Sequence, residues 1–424
     1  MQIVILTIGT EGDVRPLVAL GLGLKKLGHQ VKIATDHSCQ ALVVDHGLEF
    51  APLTGNFMEW MKQDKELQKR GLSPSAMAKA FQQRLLEMGQ DWPEQGRNAA
   101  QGADLLIGNG MVYFLAQSLG EVFDIPVVES QLVPNMPSHH SPIMPLPAWM
   151  KNLPSSVNVA LGHLTRQIVW YVYQPVYNDH IRPQLGLKAY PRFGPYYQKA
   201  FQRPKMFAFS PLLVEPRKKW PSRIQTTGPW MIETDSEWQP PAELLAFLEA
   251  GPKPVYIGFG SMLNHDAQAF TDMIQEAIEE TGQRVILATG WGGLDATNMS
   301  EFCRDNIFSV GHIPHDWLLP RMAMAVHHGG AGTSHAVLRS GIPSVVVPVF
   351  GDQPFWAGRL ERLGVAPPAL PRETLTSADL TKAIAIAAGT QMQERAKSVA
   401  AKIRAENGVD NAIKSLQSFG LLSA

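Results

Sequence analysis

The densest chemistry in the chain lies in His327-His328-Gly329-Gly330-Ala331-Gly332-Thr333-Ser334. Three glycines let a ligand come close to the backbone. An apolar run precedes the block and a helical pattern follows it. Its N–H groups therefore stand at a helix start, where the helix dipole favours an anion. A histidine beside them can donate to a phosphate oxygen. The block fits a seat for a diphosphate; it also fits a Gly-rich strand-to-helix turn whose histidines cap backbone. It is neither a Walker loop nor a G-x-G-x-x-G turn.

A second block, Gly351-Asp352-Gln353-Pro354, follows the next apolar run. A carboxylate beside an amide can grip vicinal sugar hydroxyls, since one accepts hydrogen bonds and the other both donates and accepts. The alternative is a helix N-cap at Asp352 with Pro354 in the first turn. A third candidate is Asp13, in Gly12-Asp13-Val14-Arg15-Pro16. It reads either as a helix cap or as a general base. An alcohol must lose its proton as it attacks, and a carboxylate in a desolvated cleft has a raised pKa suited to taking it.

The negative findings narrow the class. The sequence has no Asp-x-Asp pair and no H-E-x-x-H motif, and His139-His140 is an isolated pair better suited to a surface or a pocket lining than to a metal. No G-x-S-x-G elbow marks a serine hydrolase. The net charge of -1 sets up no field toward nucleic acid, whereas a membrane-surface contact needs only a local patch. Cys39 and Cys303 are far apart and outside any C-x-x-C pair, as in a reducing compartment. The N-terminus lacks the basic start and cleavage site of a signal peptide, and no run approaches the ~20 apolar residues of a membrane span. The expectation is a cytoplasmic chain.

These candidates need a scaffold. Ile3–Ile8 is an apolar, β-branched run, as in a parallel strand buried on both faces. Pro16 stands where a helix can begin. Leu17, Leu20, Leu24 and Leu27 form one stripe, and Gly28 ends it. Val31–Ala34 completes a βαβ unit, which implies a parallel sheet. Strands at Ala103–Ile107 and Ile125–Val128 flank a helix at Val112–Leu119. A second series follows: strands at Val255–Phe259, Val285–Ala288, Ala323–Val326 and Ser344–Val347, with helices at Ala267–Thr281 and from Ser334. The end of the chain, from Ser377, reads as helical. The expected fold is α/β, with two Rossmann-like doubly wound domains facing across a cleft: 1–215, a linker at 216–240, and 241–424. The segment from Pro145 to Phe209, rich in aromatics, Met and Pro, reads either as a greasy pocket or as plain core.

Four blocks carry a resemblance: Pro254-Val255-Tyr256-Ile257-Gly258-Phe259-Gly260-Ser261-Met262, Gly311-His312-Ile313-Pro314-His315-Asp316-Trp317-Leu318, the His-His-Gly-Gly-Ala-Gly-Thr run, and Gly351-Asp352-Gln353-Pro354-Phe355-Trp356. The stretch from Gly251 to Pro367 resembles the nucleotide-sugar-binding domain of sterol 3-beta-glucosyltransferases. The opening Gly9-x-x-Gly12-Asp13-Val14-x-Pro16 is similar to that family and to relatives that glycosylate antibiotics and lipids.

The resemblance implies the GT-B fold, UDP-glucose as co-substrate and inversion at the anomeric carbon without a metal or other cofactor. His328 would contact the diphosphate, with Gly330, Gly332 and Thr333 supplying backbone and hydroxyl donors and Ser261 also reaching phosphate. Asp352 and Gln353 would hold the sugar, and His312 and Ile313 would meet the base. Asp13 would be the catalytic base, with Gly12 beside it lining the donor. The partners implied are a nucleotide-sugar donor and a lipophilic small-molecule acceptor such as a sterol. A natural-product tailoring enzyme with a deoxysugar or TDP-sugar donor is the competing reading. A nucleotide-sugar sensor and a sugar-phosphate epimerase of similar fold are the others.

Overall fold

In a computed structural model, residues 1–55, 74–140, 153–197, 203–217, 220–234, 237–259, 267–288, 300–349 and 351–423 are described. The chain divides into two compact units. One comprises Met1–Pro142, Leu146–Ile232 and Asn407–Ala424; the other comprises Ile143–Pro145 and Glu233–Glu406.

The first unit is built on a seven-stranded sheet: β1 (Gln2–Leu6), β2 (Gln30–Thr35), β3 (Glu49–Pro52), β4 (Leu105–Asn109), β5 (Val127–Gln131), β6 (Lys205–Phe207) and β7 (Ile224–Thr226), in the order β3-β2-β1-β4-β5-β6-β7. Neighbours run parallel, with Ile3 beside Val31 on one flank and Leu105 on the other. Alternating residues of these strands feed two cores. Val4, Leu6 and Leu106 point into one and Ile3, Ile5 and Ile107 into the other, which is why the strands read as continuous apolar runs. Among the helices that cover this sheet are α1 (Glu11–Lys26), α2 (Tyr113–Phe123) and α3 (Ser155–Pro175).

The second unit holds a five-stranded parallel sheet: β8 (Val255–Gly258), β9 (Val285–Ala288), β10 (Ile307–Val310), β11 (Met324–His327) and β12 (Ser344–Val346), in the order β10-β9-β8-β11-β12. Helices α4 (Ala331–Ser340) and α5 (Gln353–Leu363) follow β11 and β12. Both sheets grow outward from their first strand and then reverse. The reversal falls between β1 and β4 in one and between β8 and β11 in the other, and a sheet of this kind binds ligands beyond the carboxyl ends of those strands.

Three sequence expectations are revised. Helix α1 begins at Glu11, and Pro16 lies inside it. Pro16 has no N–H to give Gly12, but Gly12 is exposed and water can take that place. Residues 216–240, expected as a linker, contain β7, and Trp230 is buried with its Nε1–H on Thr227 Oγ1 at 2.9 Å. The last helix, α6 (Gly408–Ser418), belongs to the first unit. Asn411 Nδ2 donates to the Thr227 carbonyl at 3.0 Å, and α6 packs so closely on α1 that a Cβ at Gly23 would lie 2.4 Å from Val409. Within the aromatic segment Trp170, Tyr177, Tyr190, Phe207 and Phe209 are buried, the first three around Phe114, whereas Tyr171 and Phe193 are exposed. Cys39 and Cys303 are free and buried.

Candidate active site

In the second unit, β11 delivers His327 and His328 to the switch point, and the two histidines have different tasks. His327 is fully buried. Its Nδ1 accepts the Gly329 N–H at 3.1 Å, so its Nε2 carries the proton and faces Ser344 Oγ at 3.0 Å. That histidine caps backbone and ties β11 to β12. His328 does neither. Its Nδ1 is occluded from solvent and has no hydrogen-bond partner. A buried polar atom left without a partner costs about 1–3 kcal/mol, so an acceptor or donor supplied by a ligand would be favoured.

The loop that follows leaves room for such a ligand. Gly329 has φ +87°, and a Cβ there would strike Val346 Cγ1 at 2.7 Å. A Cβ at Gly330 would come within 2.5 Å of His328 Nε2, and one at Gly332 would meet nothing within 4 Å. Gly330 is the N-cap of α4 and offers no side-chain cap. Among the described residues the first-turn N–H groups of α4, including those of Gly332 and Thr333, therefore have no side-chain acceptor, with the helix dipole behind them. This end of α4 can hold an anion.

Asp352 lies at the N-cap position of α5 but makes no cap bond. Its Oδ2 instead accepts the Trp356 Nε1–H at 2.6 Å. Trp356 is fully buried, and His335 of α4 stacks edge-on against it at 5.4 Å. His335 Nδ1 in turn pairs with the Ala331 carbonyl at 2.7 Å, in the first turn of α4. Trp356 thus links the Asp352 carboxylate to α4. Burial raises the Asp352 carboxyl above its usual range, while the indole N–H holds it down. Gln353 is buried, and its Oε1 accepts the Val349 N–H at 2.7 Å, which fixes the orientation of the amide. His312 and Ile313 sit in the turn after β10, exposed and half-buried respectively. Ser261 lies outside the described residues.

Burial holds His327 near pKa 3, and His328 and His335 near 4, against an ordinary value of 6.5. All three are neutral in the folded unit at pH 7. Between about pH 6.5 and 4 the unfolded chain binds protons that the folded chain refuses, so stability falls as pH drops through that window. Thermal melts of the purified protein from about pH 7 to 4.5 should show a steep fall in Tm, on the order of several kcal/mol of lost stability. A Tm that holds steady across the range would mean that these imidazoles are not refusing protons.

The first unit brings Asp13 to the carboxyl end of β1. Thr10 caps α1, and Asp13 completes the capping box: its Oδ2 accepts the Thr10 N–H at 2.7 Å and the Thr10 hydroxyl at 3.0 Å. The helix-cap reading is therefore realised, and it leaves the carboxylate half-buried at the sheet's switch point. A Cβ at Gly9 would fall 2.3 Å from Asp13 Oδ2, so the fold holds this position open for the carboxylate. Gly12 is exposed, and only Thr10 Oγ1, at 3.4 Å, would meet a Cβ there. On the adjacent strand, Asn109 donates to the hydroxyl of Thr7 at 3.1 Å while its buried Oδ1 has no partner. Sequence reasoning did not single out Gly9, Thr10, Asn109 or Trp356 as site residues; Trp356 alone left a signal, four residues after Asp352 on one helix face. Among the described residues no group of three or more His, Cys, Asp or Glu could hold a metal ion.

Comparison with known proteins defines the class first. A model of the glycosyltransferase family 28 N-terminal domain matches residues 3–93, and one of the erythromycin biosynthesis protein CIII-like C-terminal domain matches residues 292–416. The glycosyltransferase of kitacinnamycin superposes with a TM-score of 0.71 at 20% identity, covering 98% of each chain. Spinosyn rhamnosyltransferase superposes with a TM-score of 0.67 at 17% identity, over 98% of this chain and 100% of its own. The fold is that of the two-sheet GT-B glycosyltransferases.

The sequence relatives are more specific. Two sterol 3-beta-glucosyltransferases of Arabidopsis thaliana are 33% and 32% identical, over 98% and 97% of this chain. The sterol 3-beta-glucosyltransferase of Candida albicans is 32% identical over 98% of it. The chain belongs to the sterol 3-beta-glucosyltransferase family. It spans 65% and 67% of the two plant relatives and 28% of the Candida protein.

Proposed function

We propose that the chain is an inverting glycosyltransferase that moves glucose from UDP-glucose to a hydroxyl of a lipophilic acceptor, a sterol or related lipid, without a metal. The observation that carries this reading is the anion seat of His328 and the uncapped start of α4, joined through His335 and Trp356 to the Asp352 carboxylate. Identity of about a third with sterol 3-beta-glucosyltransferases over nearly the whole chain supports the donor and acceptor classes.

The chemistry follows from charge. As the glycosidic bond to the diphosphate breaks, the sugar gains oxocarbenium character and the leaving group gains negative charge. The N–H groups at the start of α4 and the imidazole of His328 are fixed in place before that charge appears, and so stabilise it without reorganising. Asp352 and Gln353 take the sugar hydroxyls, His312 and Ile313 flank the base, and Asp13 takes the acceptor's proton. The acceptor hydroxyl attacks the face opposite the diphosphate, which inverts the anomeric centre.

Mass spectrometry tests the reaction. The protein is incubated with chelator, UDP-glucose and a panel of sterols, terpenoid alcohols and flavonoids. A sterol gaining one hexose is the expected product. UDP-glucose left intact with every acceptor refutes the reading. A second reading, tailoring of a natural product, draws on the match to the erythromycin CIII-like domain. A 6-deoxysugar donor used in preference to UDP-glucose would favour it, because a site built for the glucose 6-hydroxyl rejects a donor lacking it.

Trp356→Phe tests the positioning of Asp352. The indole N–H is lost while an aromatic ring still fills the space. The Michaelis constant for the donor should rise by roughly 10-fold, the worth of one hydrogen bond to a charged group, and affinity for UDP, which lacks the sugar, should not change. Equal losses for both ligands would instead indicate a collapsed site.

A further inference from the structure

Helix α2 buries a glutamine that the protein does not satisfy. Gln117 is fully buried, and neither its Nε2 nor its Oε1 has a hydrogen-bond partner. Buried side-chain polar atoms are nearly always paired, so a whole amide left over is open to a group that arrives with a ligand. The packing of α2 shows which way it faces. A Cβ on Gly108 of β4 would lie 3.0 Å from Tyr113 Cα, and one on Gly120 would strike Val127 of β5 at 2.3 Å, so Tyr113 and Gly120 lie on the sheet. Leu115 and Leu119 turn to one flank, against Gly96 of the helix Trp92–Ala100, which packs toward β2 and β3. With about 3.6 residues per turn, Gln117 turns to the other flank, over β5 and β6.

That flank is positively charged. Lys205 Nζ meets Glu129 Oε1 at 2.8 Å, and the same oxygen accepts from Gln131 and Asn135 at 3.0 and 2.8 Å, so this pair is matched. The Glu129 N–H donates to the Pro204 carbonyl at 2.9 Å, and alternation puts Arg203 on the face of Lys205. Arg203 is half-buried and its Nε is occluded; among the described residues it has neither a hydrogen bond nor an acid partner. Arg166 of α3 lies over the Tyr196 ring at 4.0 Å and reaches only Met136 Sδ, at 3.9 Å. Tyr113 stands among these groups: burial pushes its hydroxyl well above the usual range, Glu129 and Tyr190 add to that, Arg203 opposes it and Tyr196 adds again. From Ser130 to Val214 the sequence carries eight Lys or Arg and a single acid, Asp179. Two guanidinium groups without a carboxylate, beside an unsatisfied amide and aromatic rings, fit a carboxylate on a lipophilic body, which a guanidinium grips through two parallel hydrogen bonds. Resting on the glucosyl-transfer reading, we propose that Arg203, Gln117 and Arg166 form a subsite for a carboxylate carried by the acceptor, so that the chain selects acidic steroid or terpenoid alcohols.

Calorimetric titration tests this without turnover, so its failure is distinct from failure of the glucosyl-transfer reading. The purified chain is titrated with lithocholate, a steroid with a hydroxyl at one end and a carboxylate at the other, with its methyl ester, and with inorganic phosphate. Lithocholate should bind at least ~10-fold more tightly than the ester, and phosphate more weakly than lithocholate. Arg203→Met should remove the difference between acid and ester while the affinity for the ester and the melting curve stay in place. Gln117→Leu should also weaken lithocholate, with a melting temperature that holds or rises, because it removes buried polar atoms that no protein group satisfies; an amide with a structural task would cost stability instead. Equal binding of acid and ester overturns the proposal, as does a preference that survives Arg203→Met, or no binding of either steroid. Phosphate that binds as tightly as lithocholate overturns it too, since the site then takes a free anion. In each of these cases, glucosyl transfer to neutral sterols that persists shows that the carboxylate subsite alone has failed.

Discussion

Asp13→Asn should lower turnover by at least ~100-fold while the affinity for UDP stays nearly unchanged. The substitution removes the charge that accepts a proton but keeps an oxygen where Asp13 Oδ2 receives the Thr10 N–H. The cap of α1 should therefore survive, with a stability change within about 1 kcal/mol. Gly9 is open at the same point, so the amide fits where the carboxylate stood. Steady-state kinetics with a sterol acceptor, together with calorimetric titration of UDP, separates the outcomes. Loss of turnover alone supports a base that acts on the acceptor. Unchanged turnover would leave Asp13 with only its structural task.

His328→Ala should weaken UDP binding by roughly 10- to 100-fold, the range for a hydrogen bond to a charged group. The buried Nδ1 of His328 has no partner in the protein, so its removal leaves nothing unpaired behind. The pH dependence gives a second readout. Burial holds the free imidazole near pKa 4. A diphosphate beside it favours the charged form and raises that value, so binding takes up a proton and tightens as pH falls through the raised pKa. The nucleotide's own phosphate titrates in the same range, but equally for both proteins, so the difference between their profiles reports His328. Wild-type affinity should gain on the variant between about pH 7 and 5. Parallel profiles would assign His328 a structural role like that of His327.

Much of the architecture was legible because its signals are local. Apolar runs mark strands buried on both faces, and the helix between β1 and β2 shows its stripe and its terminal glycine within one turn of where each acts. The glycine block after β11 announced a close backbone approach, because no other residue type could stand where Val346 crowds Gly329. The boundaries of the units were less legible. The chain returns to the first unit at Asn407, and α6 is amphipathic like any terminal helix; only Gly23, hundreds of residues away, reveals the face it meets.

The site itself divides along the same line. Residue types and spacing determined that a Gly-rich turn, a carboxylate–amide pair and a single carboxylate each follow an apolar strand. Sequence left each with two readings, since a cap and a ligand contact use the same atoms. Tertiary structure decided which of those atoms the fold itself uses. It used His327 for backbone and left His328 Nδ1 unpartnered, withheld a cap from Asp352 and gave it Trp356, and made Asp13 a cap that still stands at the switch point. It also decided that Trp170 of α3 joins the core around Phe114 while its neighbour Tyr171 faces outward. Periodicity shows that a helix has an apolar side, but which side meets the protein depends on partners far away in the chain.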